Sequence, residues 1–145
     1  PFFISGKPAL ATGIGEKLET FGGLPGFFVV IACPPISVST AEVYKNLNLR
    51  LTKCEKKLKY PLFKTQVFNA EKHLCNDLEA VTASWHSEIE TAKKVLTDKG
   101  AAGALMSGSG PSVFGLFREA EKARAAEKFI SEQFGWRVHL AEMAV

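Results

Sequence analysis

Several features that would point to a particular class of protein are missing from this 145-residue sequence. It has only three cysteines, Cys33, Cys54 and Cys75, and no two of them have the CxxC spacing. The odd number and wide spacing argue against a disulfide framework or a zinc site, and they favour a reducing compartment. No apolar run approaches the roughly 18 residues that a membrane-spanning helix needs. We therefore expect no membrane partner.

Strong charge is missing as well. The formal net charge is +3, and no block of Lys and Arg interleaves with aromatic residues, so we expect no nucleic-acid partner. The densest basic stretch, KCEKKLK at residues 53–59, is short and contains Glu55. It favours a solvated surface, with a phosphate or nucleic-acid patch as the alternative. Apolar residues make up 46% of the chain, which indicates a folded core of about one domain.

An initiator methionine is also absent, because the sequence starts with PFFISG. This start resembles neither a signal peptide nor a natural N-terminus. Since PFFI has the character of a strand, we expect the chain to be a fragment of a longer protein. The turn-forming segment GGLPG at residues 22–26 is a candidate domain boundary.

What is present is a clear alternation of strand and helix signals. The run FFVVIACPP, residues 27–35, suits a buried strand. Ser39 or Thr40 can cap a helix that begins there. Residues 50–70 are mixed and polar, which predicts a loop or irregular helix. Further strands are predicted at residues 1–4, at 9–21 with breaks at the two glycines, at 103–107, at 112–117 and at 136–140.

Two further helices are predicted between these strands. Apolar residues recur at steps of three and four from Asp77 to Lys99, which predicts one long helix with a single apolar face. Asn76 or Asp77 can cap its start, and Gly100 can end it. A second helix is predicted at about 119–134. The order of strands and helices predicts an α+β fold, in which an antiparallel, ferredoxin-like sheet carries helices on one face.

One glycine-rich stretch raises a functional question: ALMSGSGPSVFGLF, residues 104–117. A Walker A loop needs Lys where Ser109 stands, and a GxGxxG loop needs a third glycine where Val113 stands. Both familiar phosphate loops are therefore excluded. Consecutive backbone amides at residues 107–110 can still form an anion-binding concavity. The pattern alone leaves two interpretations open, an anion site and a plain turn.

Other chemistry is not indicated by the residue pattern. His73, His86 and His139 have no metal-like spacing with each other or with a cysteine. Nothing in the pattern brings a Ser/His/Asp triad together. Asp77 and Glu79 are explained by a helix start, where carboxylates interact favourably with the positive end of the helix dipole. We therefore assign no catalytic residue and no metal ligand within this chain.

The motifs themselves resemble a known family. MSGSGPSVFGLF resembles the third conserved motif, G-[ST]-G-P-[ST]-hydrophobic-[FY], of the GHMP small-molecule kinases (galactokinase, homoserine kinase, mevalonate kinase and phosphomevalonate kinase). The ordered set PFF, GKPALATGIGEKL, FVVIACPPISVSTAEVY and NDLE covers nearly the whole chain. It is similar to the branch that uses ATP to phosphorylate 4-diphosphocytidyl-2-C-methyl-D-erythritol in the non-mevalonate isoprenoid route. The alternatives are another GHMP kinase, of homoserine or mevalonate type, and a ferredoxin-like binding module without catalysis.

The resemblance implies a set of site residues. Gly108, Ser109 and Gly110 would form a loop that faces the ATP phosphates and the substrate diphosphate. Tyr44 would pack against the cytosine of the substrate, and Thr40 would lie near its methylerythritol end. The implied cofactors of the full-length protein are ATP and Mg²⁺, and the implied partner is the small cytidylated substrate.

The resemblance also implies what lies outside the chain. Residues 1–25 would be the trailing strands of an N-terminal domain, and residues 26–145 would be the GHMP kinase C-terminal domain. The main phosphate loop, a Lys and a catalytic Asp of the family fall upstream of Pro1. We therefore expect the fragment alone to be inactive, with the missing N-terminal domain as its partner. The expected compartment is the bacterial cytoplasm, with the plastid stroma as the alternative.

Overall fold

The structure is a computed structural model, and it describes residues 8–22, 24–48 and 69–143. The predictions for residues 1–4, 53–59 and almost all of 50–70 lie outside the described residues. The elements, in chain order, are β1 (Ala9–Thr12), β2 (Lys17–Thr20), β3 (Phe28–Cys33), α1 (Thr40–Asn46), a 3₁₀ turn (Ala70–Lys72), α2 (Glu79–Trp85), α3 (Ser87–Asp98), β4 (Gly103–Met106), β5 (Val113–Phe117), α4 (Ala120–Phe134) and β6 (Arg137–Glu142).

Four of the strands form one antiparallel sheet in the spatial order β4-β5-β3-β6. In the register, Ala32 of β3 lies between Val113 of β5 and Val138 of β6. Helices connect β3 to β4 and β5 to β6, which is the β-α-β-β-α-β arrangement of a ferredoxin-like domain. The predicted α+β fold is confirmed.

The core lies between this sheet and the helices. Along β3, Val30 and Ala32 are fully buried, whereas the alternating residues Val29, Ile31 and Cys33 face the other side and are only half-buried. The alternation follows from the two-residue period of a strand. The helices bury residues at steps of three and four, namely Ile89, Ala92 and Leu96 from α3 and Ala123, Ala126 and Ile130 from α4. The apolar faces predicted for these two helical segments are confirmed at these positions, whereas Phe134, predicted on the same side of α4, is 37% exposed.

The prediction of a single helix over 77–99 is wrong, because the helix is interrupted at His86. This residue has an extended backbone (φ −134°, ψ 98°), and it separates α2 from α3. Trp85, expected on the apolar face, is 45% exposed, whereas Thr82 is fully buried. Thr82 tolerates this position because its hydroxyl donates a hydrogen bond to Ser109 O. The break therefore lets α2 face a loop while α3 packs against the sheet.

A second, two-stranded sheet lies in the N-terminal part of the chain. The strands β1 and β2 pair from Ala9↔Thr20 to Thr12↔Lys17. The turn between them contains Gly13 and Gly15, both with positive φ. The strand predicted over 9–21 is therefore interrupted at these two glycines, as predicted. At the tip of the turn Ile14 is 99% exposed.

The cysteines depart in part from the sequence prediction. Cys33 is a free thiol, but Cys75 takes part in a disulfide, which the argument against a disulfide framework did not anticipate. Sequence spacing could not show this, because pairing depends on distance in the fold. Within the described ranges, none of the helices combines the length and the apolar character needed to cross a membrane.

Candidate functional site

The topology of the sheet brings the glycine loop next to helix α1. Val113, the first residue of β5, pairs with Ala32 near the end of β3 and with Met106 at the end of β4. The loop at residues 107–112 and the segment leading into α1 therefore leave the same end of the sheet. Thr40 Oγ1 lies 2.8 Å from Ser109 Oγ, so the two hydroxyls form a hydrogen bond. The structure thus brings together Thr40 and Ser109, two of the residues predicted for the site.

The loop closes on itself through two backbone hydrogen bonds. Ser107 N donates to Ser112 O at 2.8 Å, and Gly110 N donates to Ser107 O at 2.9 Å. Gly108 and Gly110 both have positive φ, which glycine adopts at little cost, and the Gly110–Pro111 peptide bond is cis. Within the described residues, no hydrogen-bond partner is recorded for the amides of Gly108 and Ser109. The sequence predicted four amides for a concavity, but two of them are used inside the loop.

Asn76 is the principal side chain that holds the loop in place. Its Nδ2 donates to Met106 O and to Gly108 O, both at 2.8 Å. Its Oδ1 accepts from Leu78 N at 3.1 Å, just before α2 begins. One amide side chain therefore joins the start of α2 to the glycine loop.

Two residues of α2 reinforce this attachment. Thr82 Oγ1 donates to Ser109 O at 3.0 Å from a fully buried position. Glu79 Oε2 accepts from Met106 N at 2.8 Å, and its other oxygen pairs with Lys93 of α3. These charge-assisted bonds fix the end of β4, where the loop begins.

Sequence reasoning missed these anchors. It explained Asp77 and Glu79 by helix capping and assigned Asn76 only a possible cap. The missed signal is that polar residues recur every three positions, at Asn76, Glu79 and Thr82, where one face of a helix would repeat. Near the core such polar residues require partners, and the loop and Met106 at the end of β4 supply them.

Helix α1 presents the predicted substrate residues beside this loop. Ser39 is its N-cap, because its Oγ accepts from Glu42 N at 3.4 Å, which selects one of the two caps the sequence allowed. Val43 is fully buried, so the helix is fixed to the core. Tyr44 lies one turn after Thr40 and is 59% exposed. An aromatic ring is therefore accessible on the helix that contacts the loop.

The chemistry of the site suits an anion rather than a bare cation. The loop offers the amides of Gly108 and Ser109 and a serine hydroxyl, and amides of successive residues bind anions. Both oxygens of the neighbouring Glu79 are already engaged. Across the parts of the chain that the structure describes, no group of three or more His, Cys, Asp or Glu could hold a metal ion.

One charged pair lies away from the loop, after β5. Arg118 donates to Glu71 Oε1 at 2.6 Å. Burial raises the pKa of the Glu71 carboxyl, but its own backbone N–H and Arg118 lower that pKa by more, so the net pKa is below the ordinary value. The pair joins the 3₁₀ turn at 70–72 to the end of β5.

Comparison with known proteins places these features in a family context. Residues 65–135 match the family model described as GHMP kinases C terminal. The chain is 47% identical over 142 residues to a 4-diphosphocytidyl-2-C-methyl-D-erythritol kinase from Pelobacter propionicus, covering 98% of this chain and 50% of that protein. It is 46% identical to the protein of the same name from Syntrophotalea carbinolica, with the same coverage. The chain thus spans about half the length of the curated relatives it matches.

Solved structures agree with this fold. A 4-(cytidine 5′-diphospho)-2C-methyl-D-erythritol kinase superposes with a TM-score of 0.70 at 26% identity, over all of this chain and 53% of that one. A homoserine kinase from Cytophaga hutchinsonii superposes with a TM-score of 0.63 at 19% identity, over 94% of this chain and 48% of that one. The second likeness concerns the fold alone.

Proposed function

Because this chain belongs to the GHMP kinase family and matches its C-terminal part, we propose that it is the C-terminal domain of an ATP-dependent 4-diphosphocytidyl-2-C-methyl-D-erythritol kinase. The observation that carries the proposal is the braced glycine loop, which holds Ser109 in contact with Thr40 of α1. Relatives with that name match nearly the entire chain, which supports this substrate over those of other GHMP kinases.

The loop fits a role in phosphate positioning. Phosphoryl transfer depends mainly on placing the reactants and stabilising charge, so backbone amides that contact phosphate oxygens suffice as protein groups. We assign this role to Gly108, Ser109 and Gly110. The donors are the amides of the first two, for which no partner is recorded among the described residues. The side-chain hydrogen bonds to Gly108 O and Ser109 O already hold the loop, so little reorganisation is needed on binding.

Helix α1 fits a role in substrate recognition. The exposed ring of Tyr44 can stack on a flat base, a contact worth about 1–3 kcal/mol. Thr40, one turn earlier on the helix and bonded to Ser109, is assigned to the methylerythritol end of the substrate. The base site and the phosphate loop are thus parts of one surface.

ATP supplies the phosphoryl group when bound, and Mg²⁺ accompanies its phosphates in this chemistry. The donor set of the loop fits phosphate oxygens, and we assign no residue of this chain to Mg²⁺. We further propose that residues 1–25 belong to an N-terminal domain and residues 26–145 to the C-terminal domain. The separate pairing of β1 with β2 supports that division. Catalysis is assigned to the full-length protein in the bacterial cytoplasm.

The decisive experiment assays the full-length protein with ATP, Mg²⁺ and the cytidylated substrate, with homoserine and mevalonate as competing substrates. We expect turnover of the cytidylated substrate alone. Absence of that turnover rejects the proposal. Phosphorylation of homoserine or mevalonate would instead identify a GHMP kinase of homoserine or mevalonate type. Residues 1–145 alone should show no turnover and at most weak nucleotide binding. Calorimetric binding of ATP at micromolar affinity would contradict that expectation.

A pair of variants tests the base site. Tyr44→Ala should raise the KM for the cytidylated substrate by about 5- to 150-fold, the equivalent of one lost stacking contact. The KM for ATP should change little. Tyr44→Phe keeps the ring and should keep the substrate KM. Equal changes in both KM values would remove Tyr44 from the base site.

A further inference from the structure

We propose that Asn76 is a positioning residue, which orients the amide of Ser109 toward the bound phosphate. The inference rests on the proposed function of the loop and assigns a role to a side chain outside it. Asn76 itself would contact no substrate. It would act by holding one peptide unit, Gly108–Ser109, in one orientation.

The geometry of the peptide unit is the first step. Gly108 O and Ser109 N–H belong to the same trans peptide, and in such a unit the C=O and the N–H point in opposite directions. Asn76 Nδ2 holds Gly108 O at 2.8 Å. The N–H of Ser109 is therefore directed away from Asn76, to the side of the loop where no partner is recorded among the described residues.

The second step concerns the alternative orientation of this peptide unit, which requires a positive φ at Ser109. Gly110 N donates to Ser107 O, so residues 107–110 form a β-turn with Gly108 and Ser109 at its centre. Gly108 has a φ of 56° and Ser109 has no positive φ, which is the pattern of a type II′ turn. Rotating the central peptide gives a type I′ turn and exchanges the sides of Gly108 O and Ser109 N–H. The hydrogen bond from Asn76 to Gly108 O favours the first orientation.

The third step is that the role needs an amide side chain. The Nδ2 group supplies two donors, to Met106 O and Gly108 O, and Oδ1 serves Leu78 N. A carboxylate of the same shape keeps only the last of these bonds and faces two carbonyl oxygens with no donor. Asn76→Asp therefore removes the hold on the loop while leaving the acceptor before α2 in place.

The experiment compares full-length wild type with Asn76→Asp. In the variant, we expect kcat to fall by at least about tenfold, as for the loss of an oriented donor, and the Kd of ADP with Mg²⁺ to rise. The amide ¹H–¹⁵N resonance of Ser109 should shift on addition of ADP in wild type and stay unchanged in the variant. A purely structural role for Asn76 would leave that resonance responsive.

The matched control is Asn46→Asp at the exposed end of α1. It makes the same chemical change and breaks a similar bond, from Asn46 Nδ2 to Glu42 O at 2.9 Å. We expect its kcat and its ADP affinity to stay within about twofold of wild type. Comparable losses in both variants would overturn the inference, because they would trace to added charge rather than to the loop.

Three outcomes separate this inference from the proposed function. If wild type phosphorylates the cytidylated substrate but its Ser109 amide does not respond to ADP, the inference is wrong and the proposed function stands. This measurement does not require the variant to fold. If Asn76→Asp folds and retains wild-type kcat, ADP affinity and resonance response, the inference is also wrong. Absence of any turnover in wild type overturns the proposed function itself.

Discussion

Two glycine turns in this molecule join neighbouring antiparallel strands, and they differ in how they are held. The turn between β1 and β2 and the loop between β4 and β5 each contain two glycines with positive φ. In the first, the recorded contacts are local: Gly15 N donates to Thr12 O, and Ile14 N donates to Glu16 Oε2. In the second, side chains from positions 27 to 69 residues away contact the loop.

This contrast answers the question raised by the glycine-rich sequence. Glycine content and positive φ are shared by both turns, so neither property distinguishes a binding loop from a connection. The difference lies in distant side chains that donate hydrogen bonds to the carbonyl oxygens of the loop. Once Asn76 and Thr82 bind the carbonyl oxygens of Gly108 and Ser109, the free amides are left for a ligand.

The largest effect should come from adding one methyl group to each turn. In Gly110→Ala, the new Cβ would lie 2.8 Å from Met106 Sδ and 3.3 Å from Thr82 Cγ2, at a φ of 87°. Strain and overpacking together should lower the free energy of unfolding by about 2–4 kcal/mol. The matched Gly15→Ala has a similar φ of 95° and nothing within 4 Å, so it should cost only about 1–2 kcal/mol. Denaturant unfolding measures both, and equal costs would remove the distinction between the turns.

The next effect concerns a buried anchor of the loop. Thr82→Val keeps the shape but leaves Ser109 O without its donor, which should cost about 1–3 kcal/mol of unfolding free energy. Thr82→Ser keeps the hydroxyl and should retain most of the stability. Thr97→Val is the control, because Thr97 is exposed and its recorded hydrogen bond, among the described residues, is to Lys93 O within its own helix. If Thr82→Val is as mild as the control, the loop is not held through this bond.

A smaller change in the free energy of unfolding should appear on acidification. Two of the loop anchors, Asn76 and Thr82, do not titrate, so the change is expected from a carboxylate away from the loop. In the fold, the pKa of Glu71 is below its ordinary value of 4.5. Burial raises this pKa, but the backbone hydrogen bond of Glu71 and the Arg118 guanidinium lower it by more. Its contribution is therefore present above pH 4.5 and is lost as the pH falls through the folded pKa. Glu71→Gln should reduce stability at pH 7 by no more than ~1 kcal/mol.

Unfolding curves from pH 7 to pH 3 measure this difference. The gap between wild type and Glu71→Gln should narrow as the pH falls below 4.5. A gap that stays constant or widens in acid would show that the carboxylate does not contribute in its ionised form.

The smallest effect is expected in the hairpin turn. Glu16→Ala removes the acceptor for Ile14 N, but both residues are exposed and water can replace the carboxylate. We expect a change of no more than about 0.5 kcal/mol in the free energy of unfolding. A cost similar to that of Thr82→Val would mean that the local contact holds its turn as firmly as the distant contacts hold theirs.

The sequence predicted those parts of the fold that depend on local pattern. The strand predicted at 27–35 follows from a continuous apolar run, and the apolar face of α4 follows from periodicity. The glycines ended the predicted elements where φ turns positive. Periodicity also suggested one helix over 77–99, and it failed there because the backbone is extended at His86. It also failed to predict that Thr82 is buried and Trp85 exposed, the opposite of what their polarity suggests. A polar side chain is buried when its partner is near, and that partner, Ser109, is 27 residues away.

The site was predictable to a similar degree. The resemblance to GHMP kinases indicated Thr40 and Ser109, which the structure brings into contact, and it indicated Tyr44 on the same helix. The roles of these residues stay predictions. The number of free amides was overestimated, because hydrogen bonds within the loop depend on its turn type. The disulfide at Cys75 could not be predicted either, since it reflects proximity in space.

The position of the anchors along the chain has a consequence for biosynthesis. Thr40, Asn76, Glu79 and Thr82 all precede the glycine loop in the sequence. A ribosome adds residues from the N-terminus, so each of these side chains has been synthesised before Gly108 is added. The loop therefore emerges after all four of these residues, and the groups that give it its shape are already present in the nascent chain.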